Sequence, residues 1–209
     1  MESKELDHNF WNERYLKEDT PWDISGVSPA IQEYIDQLSN KDLRILIPGA
    51  GNSYEAEFLH ERGLNNVHVV DISPIPLQNL KERLPKFPAD HLICRDFFKL
   101  EGTYDLIIEQ TFFCALHPSL RPDYVRKCHS LLSTSGKVAG LFFNIPLYTE
   151  HPPYGGNEAE YRTLFKDYFE IKTMETATNS IGPRLGNELF FIIQKKPIPD
   201  SYEREDYPG

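Results

Sequence analysis

Short apolar runs alternate along the chain with segments in which apolar residues recur every three or four positions. The segment 28–38 has this helical spacing behind a Ser-Pro start, so it predicts a helix. The apolar run 43–47 follows and meets a Pro-Gly break, a pattern typical of a buried parallel strand. The chain is therefore expected to begin its regular sheet at this run.

The same alternation continues almost to the end of the chain. It predicts strands at 67–71, 91–95, 104–109, 137–143, 169–175 and 188–196, and helices at 53–62, 74–84, 119–132 and 158–167. Such βα units indicate an α/β fold with a central, mostly parallel, seven-stranded sheet and helices on both faces. The loop between the last two strands resembles a hairpin connection, which favours antiparallel pairing of that pair. We expect one domain over 1–196 and a polar, flexible tail over 197–209.

Composition narrows the class of partner. A chain of 209 residues with 40% hydrophobic content suits one sizeable core. The net charge of -10 disfavours nucleic acid and anionic membranes and favours a small-molecule substrate. The sequence shows neither a secretory signal nor an apolar stretch long enough to span a membrane. The three cysteines and seven histidines do not have the spacing of metal ligands. We expect a cytoplasmic monomer that binds no metal.

A glycine-rich turn follows the first predicted strand and opens a helix. Gly49 and Gly51 allow a sharp turn and close approach of the backbone to a ligand. Asp71 ends the next strand, 22 residues after Gly49, where an acid can accept hydrogen bonds from ribose hydroxyls. Tyr54 stands where a dinucleotide site has its third glycine. The loop therefore favours an adenosine-type ligand without phosphates, such as S-adenosylmethionine, and disfavours a nicotinamide or flavin cofactor.

Two later strand ends bring further polar and aromatic residues to the same edge of the predicted sheet. Asp96 is a candidate partner for the adenine amino group, and Phe97 is a candidate cover for the ring. Gln110 is a candidate partner for the amino-acid end of the cofactor. The structural alternatives are loop capping for Asp96 and core filling for Phe97.

Five motifs in one order give the chain a family likeness. They are FWNERYLKEDTPWDISGVSP, IPGAGNSYE, VVDIS, RDFF and YDLIIEQTFFCALHPSLRPDY. Over residues 8–155 these motifs resemble the thiopurine S-methyltransferase family, and most closely its plant-type thiol and halide methyltransferase branch. The resemblance implies a Rossmann-like class I methyltransferase that uses S-adenosyl-L-methionine.

The resemblance also implies roles for particular residues. An aromatic trio in an N-terminal helical lid, residues 1–40, covers the cofactor, and by spacing it matches Trp11, Tyr15 and Trp22, although relatives carry tryptophan in place of Tyr15. Aromatic faces suit a sulfonium cation. The implied cofactor contacts include Gly49, Asp71, Asp96, Phe97 and Gln110. The candidate substrate residues are Phe112, Arg121, Tyr148 and Tyr154, and no catalytic residue is assigned.

The reaction expected from the resemblance is an in-line methyl transfer. It needs alignment in a dry cavity more than proton chemistry, and a thiolate or a halide needs little help from a base. A thiol or thiopurine sulfur or a halide is therefore the favoured acceptor. Transfer to oxygen or nitrogen of another small metabolite stays open, as does a non-catalytic module that only binds S-adenosylmethionine.

Overall fold

Seven strands form one twisted sheet in the computed structural model, which describes residues 6–147 and 149–197. The spatial order is β3-β2-β1-β4-β5-β7-β6. The strands are β1 (Ile45–Pro48), β2 (Val67–Asp71), β3 (Leu92–Cys94), β4 (Tyr104–Gln110), β5 (Leu132–Phe143), β6 (Phe169–Thr176) and β7 (Glu188–Lys195). The first five pair in parallel, and β7 runs antiparallel to both β5 and β6. The predicted mostly parallel α/β sheet and its terminal hairpin are confirmed.

Helices cover both faces of this sheet. Within the described residues they are α1 (His8–Leu16), α2 (Pro29–Asp36), α3 (Tyr54–Glu61), α4 (Pro74–Arg83), α5 (Arg121–Leu131) and α6 (Glu158–Phe165). Several begin as their sequences predict: Ser73 caps α4 ahead of a proline, and Asn157 caps α6 by accepting a hydrogen bond from the Glu160 N–H. None of the helices in the described parts of the chain is long and apolar enough to cross a bilayer.

Two apolar clusters fill the space between the helices and the sheet. Side chains alternate along a strand, so Leu46 joins one cluster while Ile45 and Ile47 join the other. The first cluster receives α5 and α6, and the second receives α2, α3 and α4. This division explains why the central strands are apolar on both faces.

The start of β5 differs from the prediction. The strand begins at Leu132 and not at 137, and its first residue pairs with Tyr104 across a register shift. The residues 133–136 are Ser-Thr-Ser-Gly, so an apolar pattern does not reveal this part of the strand. Of the predicted tail 197–209, only Pro197 lies within the described residues.

Candidate functional site

The carboxyl ends of β1 and β4 lie side by side at the point where the order of strands in the sheet reverses. The chain adds β2 and β3 on one side of β1, and β4 and β5 on the other, which makes this pair the topological switch point of the sheet. Both connections there use left-handed backbone: Gly49, Gly51 and Ser53 after β1, and Thr111 after β4. Non-glycine residues adopt this region rarely and often at functional sites. The switch point is therefore the candidate site.

Gly49 lies directly against an aromatic ring from the β4 loop. A Cβ built on Gly49 would lie 2.6 Å from Cγ and 2.9 Å from Cβ of Phe112, closer than real Cβ contacts occur. The Gly49 N–H donates to the Val70 carbonyl at 2.8 Å, which continues the β1–β2 pairing into the turn. Glycine is thus required here for both its positive φ of 55° and its lack of a side chain.

A buried carboxylate holds the loop after β4 in place. The two oxygens of Glu109 accept hydrogen bonds from the N–H groups of Phe112 and Phe113, both at 2.8 Å, and from the Tyr124 hydroxyl at 2.7 Å. Burial raises the pKa of Glu109 to about 7, and these hydrogen bonds act in the opposite direction. The Phe112 ring is therefore presented to Gly49 by a fixed turn.

The N-terminal aromatic trio lies over the other glycine of the loop. The Trp22 ring is 5.5 Å from Trp11 and 5.8 Å from Tyr15, both edge to face. A Cβ on Gly51 would lie 3.8 Å from Trp22 Nε1 and 4.0 Å from the Tyr15 hydroxyl. In the N-terminal segment, residues 8–25, the structure thus brings Tyr15 of α1 and Trp22 to the glycine loop, and Trp11, one turn before Tyr15, packs on Trp22.

Asp71 lies buried beneath this aromatic cover. Its carboxylate accepts the Ser73 N–H at 2.8 Å and also hydrogen-bonds the backbone of Gly51. Burial raises the pKa of Asp71 to about 6, and the backbone hydrogen bonds partly offset that rise. Burial and the nearby Asp71 charge both raise the pKa of Tyr15. Asp71 is thus a buried hydrogen-bond acceptor beside the glycine loop.

Polar contacts attach the N-terminal segment to the loops that follow β1 and β2. Ser73 Oγ donates to Asn12 Oδ1 at 2.6 Å, and Asn52 donates to the Asp23 carboxylate. The Tyr54 hydroxyl is 3.5 Å from the same carboxylate. Tyr54, which fills the place of a third dinucleotide glycine, thus contacts the N-terminal segment.

Gln110 is the last residue of β4, and its side-chain amide oxygen is of particular interest. Within residues 6–147 and 149–197, its Oε1 is buried and has no hydrogen-bond partner. A buried acceptor without a partner is costly, so such an atom marks a place where a donor is expected to bind. A ligand ammonium group is a donor of the required kind.

The structure gives Asp96 and Phe97 the contacts of their structural alternatives. Asp96 caps a short 3-10 helix by accepting the Phe98 N–H at 2.9 Å, and Phe97 is buried with its ring 5.2 Å from Phe112. Phe97 also packs 5.7 Å from Tyr124 in the core. Contacts of Asp96 and Phe97 with adenine stay predictions, and Phe97 acts here by supporting Phe112.

The remaining predicted substrate residues lie around the start of α5 and the loop after β5. Arg121 is buried, pairs with Glu160 at 2.6 Å and donates to the Gly155 carbonyl at 2.6 Å. Tyr154 is buried, and its N–H donates to the Cys114 carbonyl at 2.7 Å. These contacts join two loops to each other, and binding of substrate by either residue stays a prediction. Tyr148 lies outside the described residues.

Several residues at this site escaped the sequence reasoning. Asp23 lies within the TPWD element but was not assigned a partner, and Asn52 was hidden in the glycine loop. Arg184 comes from the β6–β7 connection, which has the sequence of an ordinary hairpin loop, and Glu188 is the first residue of β7. A buried acid at the first position of an apolar strand, as in ELFFII, is the one pattern that could have drawn attention to Glu188.

Sequence comparisons place this architecture among known proteins. The thiopurine S-methyltransferase family model matches residues 6–188. The chain is 30% identical over 186 residues to a probable thiol methyltransferase 2 of Arabidopsis thaliana, covering 85% of this chain and 81% of that protein. It is 27% identical over 191 residues to thiocyanate methyltransferase 1 of the same plant, covering 88% and 84%.

Structural comparisons support the fold alone, because the sequence identities are low. The 1,6-didemethyltoxoflavin-N1-methyltransferase of Burkholderia thailandensis, solved with S-adenosylhomocysteine, superposes with a TM-score of 0.72 at 18% identity, covering 91% of this chain and 87% of that one. A TehB-like S-adenosylmethionine-dependent methyltransferase of Corynebacterium glutamicum gives 0.66 at 17% identity, covering 90% and 100%.

Proposed function

This chain belongs to the thiopurine S-methyltransferase family, and we propose that it methylates a small anionic nucleophile, a thiolate or a halide. It is a methyltransferase that uses S-adenosylmethionine and a small-molecule acceptor. When bound, S-adenosylmethionine supplies a methyl group activated by a sulfonium centre. The chain's own residues must bind it, orient it and keep water out.

The observation that carries the proposal is the packing of Tyr15 and Trp22, the latter backed by Trp11, over Gly51 beside buried Asp71. We assign Asp71 to the ribose hydroxyls, which donate to a carboxylate, and Gln110 Oε1 to the ammonium group. Gly49 and Gly51 let the backbone approach the ligand. Aromatic ring faces suit the sulfonium charge, and Trp22 already carries one cation, the Arg14 guanidinium, 5.2 Å from its ring centre. The donor and acceptor types thus fit S-adenosylmethionine.

The occupied oxygens of Glu109 argue for an acceptor that arrives already deprotonated. Glu109 is the buried acid closest in sequence to the end of β4, and hydrogen bonds to Phe112, Phe113 and Tyr124 already occupy its oxygens. It is therefore poorly placed to take a proton from an alcohol or amine. Burial raises the pKa of Cys114, which keeps that thiol protonated. The two plant relatives are named for a thiol and for thiocyanate, acceptors of the proposed kind.

A labelled-methyl transfer assay tests the acceptor class. The purified protein is given S-adenosylmethionine and, in separate reactions, iodide, thiocyanate, a small thiol, a thiopurine, a phenol and an amine. For the thiol, the rate at limiting substrate should rise about tenfold per pH unit below its pKa of roughly 8.5, because only the thiolate attacks. Iodide should give a flat profile above pH 7, and any decline in its rate at lower pH reports titration of the enzyme itself.

The outcomes separate the candidate functions. Methylation of phenols or amines, with sulfur and halide acceptors untouched, would refute the acceptor class and leave a methyltransferase. Binding of S-adenosylhomocysteine without transfer to any acceptor would indicate a binding module. We further propose a cytoplasmic monomer without affinity for nucleic acid, which gel filtration, fractionation and a binding titration check.

A further inference from the structure

The β6–β7 connection contacts the N-terminal segment, residues 8–25, through Arg184, whose side chain is largely buried. Arg184 Nη2 donates to the backbone carbonyl of Trp22 at 2.9 Å, and Nη1 lies 3.5 Å from Oε1 of Glu188. The side chains of Arg184 and Glu188 are only 11% and 3% exposed. This contact therefore joins positions 162 residues apart in an environment with little water.

Glu188 connects the Arg184 side chain to the sheet. It is the first residue of β7 and pairs with Phe143, the last residue of β5, so its backbone belongs to the sheet. The Arg184 guanidinium also lies 5.5 Å from the Phe143 ring. β7 runs antiparallel to β5, so its first residue lies at the sheet edge where β4 and β5 end, which is the edge that carries the candidate site.

The N-terminal segment depends on a small number of such contacts. Helix α1 contains no buried residue, so it adds little to the apolar core. A segment of this kind can separate from the body of the protein at low cost in free energy unless specific contacts hold it. A hydrogen bond from a charged donor in a dry environment is among the stronger single contacts available.

From this geometry we infer that Arg184 and Glu188 are positioning residues that hold Trp22 over the glycine loop and thereby set cofactor affinity. The inference rests on the proposed function. Glu188 orients the guanidinium, the guanidinium fixes the Trp22 carbonyl, and the Trp22 indole is then held beside Gly51. Neither residue needs to touch the reacting atoms.

A double substitution distinguishes loss of the contact with Trp22 from a loss of overall stability. Arg184→Met alone leaves Glu188 as a buried charge without its partner, so it should lower the melting temperature. The double variant Arg184→Met/Glu188→Leu removes both charges and should recover most of that loss. It cannot restore the bond to Trp22. Arg184→Lys keeps the charge and a donor and should recover affinity in part.

The readouts are calorimetric affinity for S-adenosylhomocysteine and limited proteolysis between residues 8 and 25. In the double variant we expect affinity to fall about tenfold or more, the scale of a lost charged hydrogen bond. Cleavage with cofactor present should become faster, and KM for S-adenosylmethionine should rise while the KM of the acceptor stays unchanged. Arg162→Met is the control, since Arg162 also pairs with a carboxylate, Glu158, and donates to a backbone carbonyl, but in a more exposed setting away from Trp22.

The possible results are distinct. Wild-type affinity and wild-type cleavage in the double variant would overturn the positioning role and leave the proposed function intact. A wild-type protein that neither binds S-adenosylhomocysteine nor transfers methyl groups would refute the proposed function itself. Equal losses in the Arg162→Met control would show a general effect on stability, and would also overturn the inference.

Discussion

Substituting Gly49 by alanine perturbs the backbone and the aromatic packing of the site together. Gly49 has φ of 55°, in the left-handed region, where an L-residue costs about 1–2 kcal/mol more than glycine. The new Cβ would also collide with Phe112 at 2.6 Å from Cγ. Phe112 cannot retreat freely, because its ring lies 5.2 Å from Phe97 and the Glu109 carboxylate holds its backbone.

The two costs add to a large destabilisation. Overpacking of this kind costs roughly 1–3 kcal/mol, so Gly49→Ala should lower the free energy of unfolding by about 2–5 kcal/mol. At about 2–4 °C per kcal/mol for a chain of this size, the melting temperature should fall by roughly 4–20 °C. Affinity for S-adenosylhomocysteine should fall as well, since the backbone of the glycine loop must move.

Two other glycines supply matched controls for thermal unfolding. Gly63 has φ of 76° with nothing within 4 Å of a built Cβ, so Gly63→Ala isolates the backbone cost of about 1–2 kcal/mol. Gly182 has neither a positive φ nor a neighbour within 4 Å, and Gly182→Ala should be neutral or stabilise by about 0.4–1 kcal/mol. The expected order of stability is Gly182→Ala, then Gly63→Ala, then Gly49→Ala. If Gly49→Ala were no less stable than Gly63→Ala, the packing of Phe112 against the loop would be refuted.

Three further predictions concern the cofactor site and its surroundings. Burial raises the pKa of Asp71 to about 6, so affinity for S-adenosylhomocysteine should be constant above pH 7. Below pH 6 the affinity should fall towards tenfold per pH unit, because protonation of Asp71 removes the hydrogen-bond acceptor. The Asp71→Asn variant should bind more weakly by about 1.5–3 kcal/mol and should lack this pH dependence. Calorimetry from pH 5 to 8 checks both, and a pH-independent wild type would contradict the assignment. Cofactor binding should shift Trp22 fluorescence and slow proteolysis within residues 8–25, and an unchanged cleavage pattern would argue against a closing lid. Arg121→Met should lower the free energy of unfolding by roughly 2–3 kcal/mol, because it removes a partly buried ion pair and a hydrogen bond to the Gly155 carbonyl. Arg126→Met breaks an exposed ion pair and should cost under about 1 kcal/mol. Equal costs for the two variants would contradict the structural role of Arg121.

The sequence alone determined the order and type of the main elements and the position of the glycine loop. Apolar periodicity reflects which faces of a strand or helix are buried, and that is a local property of the chain. The loop was readable for the same reason, since Gly49, Gly51 and Asp71 belong to consecutive βα units. The start of β5 was not readable, because residues 133–136 are polar or glycine and only Leu132 of this stretch pairs with β4, across a register shift.

Only the tertiary structure decided which side chains meet at the site. Phe112 packs on Gly49, Asp23 contacts Asn52, and Arg184 reaches Trp22 across 162 residues. Such contacts depend on strand order, loop conformation and the packing of the core, and spacing along the chain carries no record of them. Residues that act through local backbone geometry could thus be predicted, whereas residues that act through distant partners appeared only once the sheet was assembled.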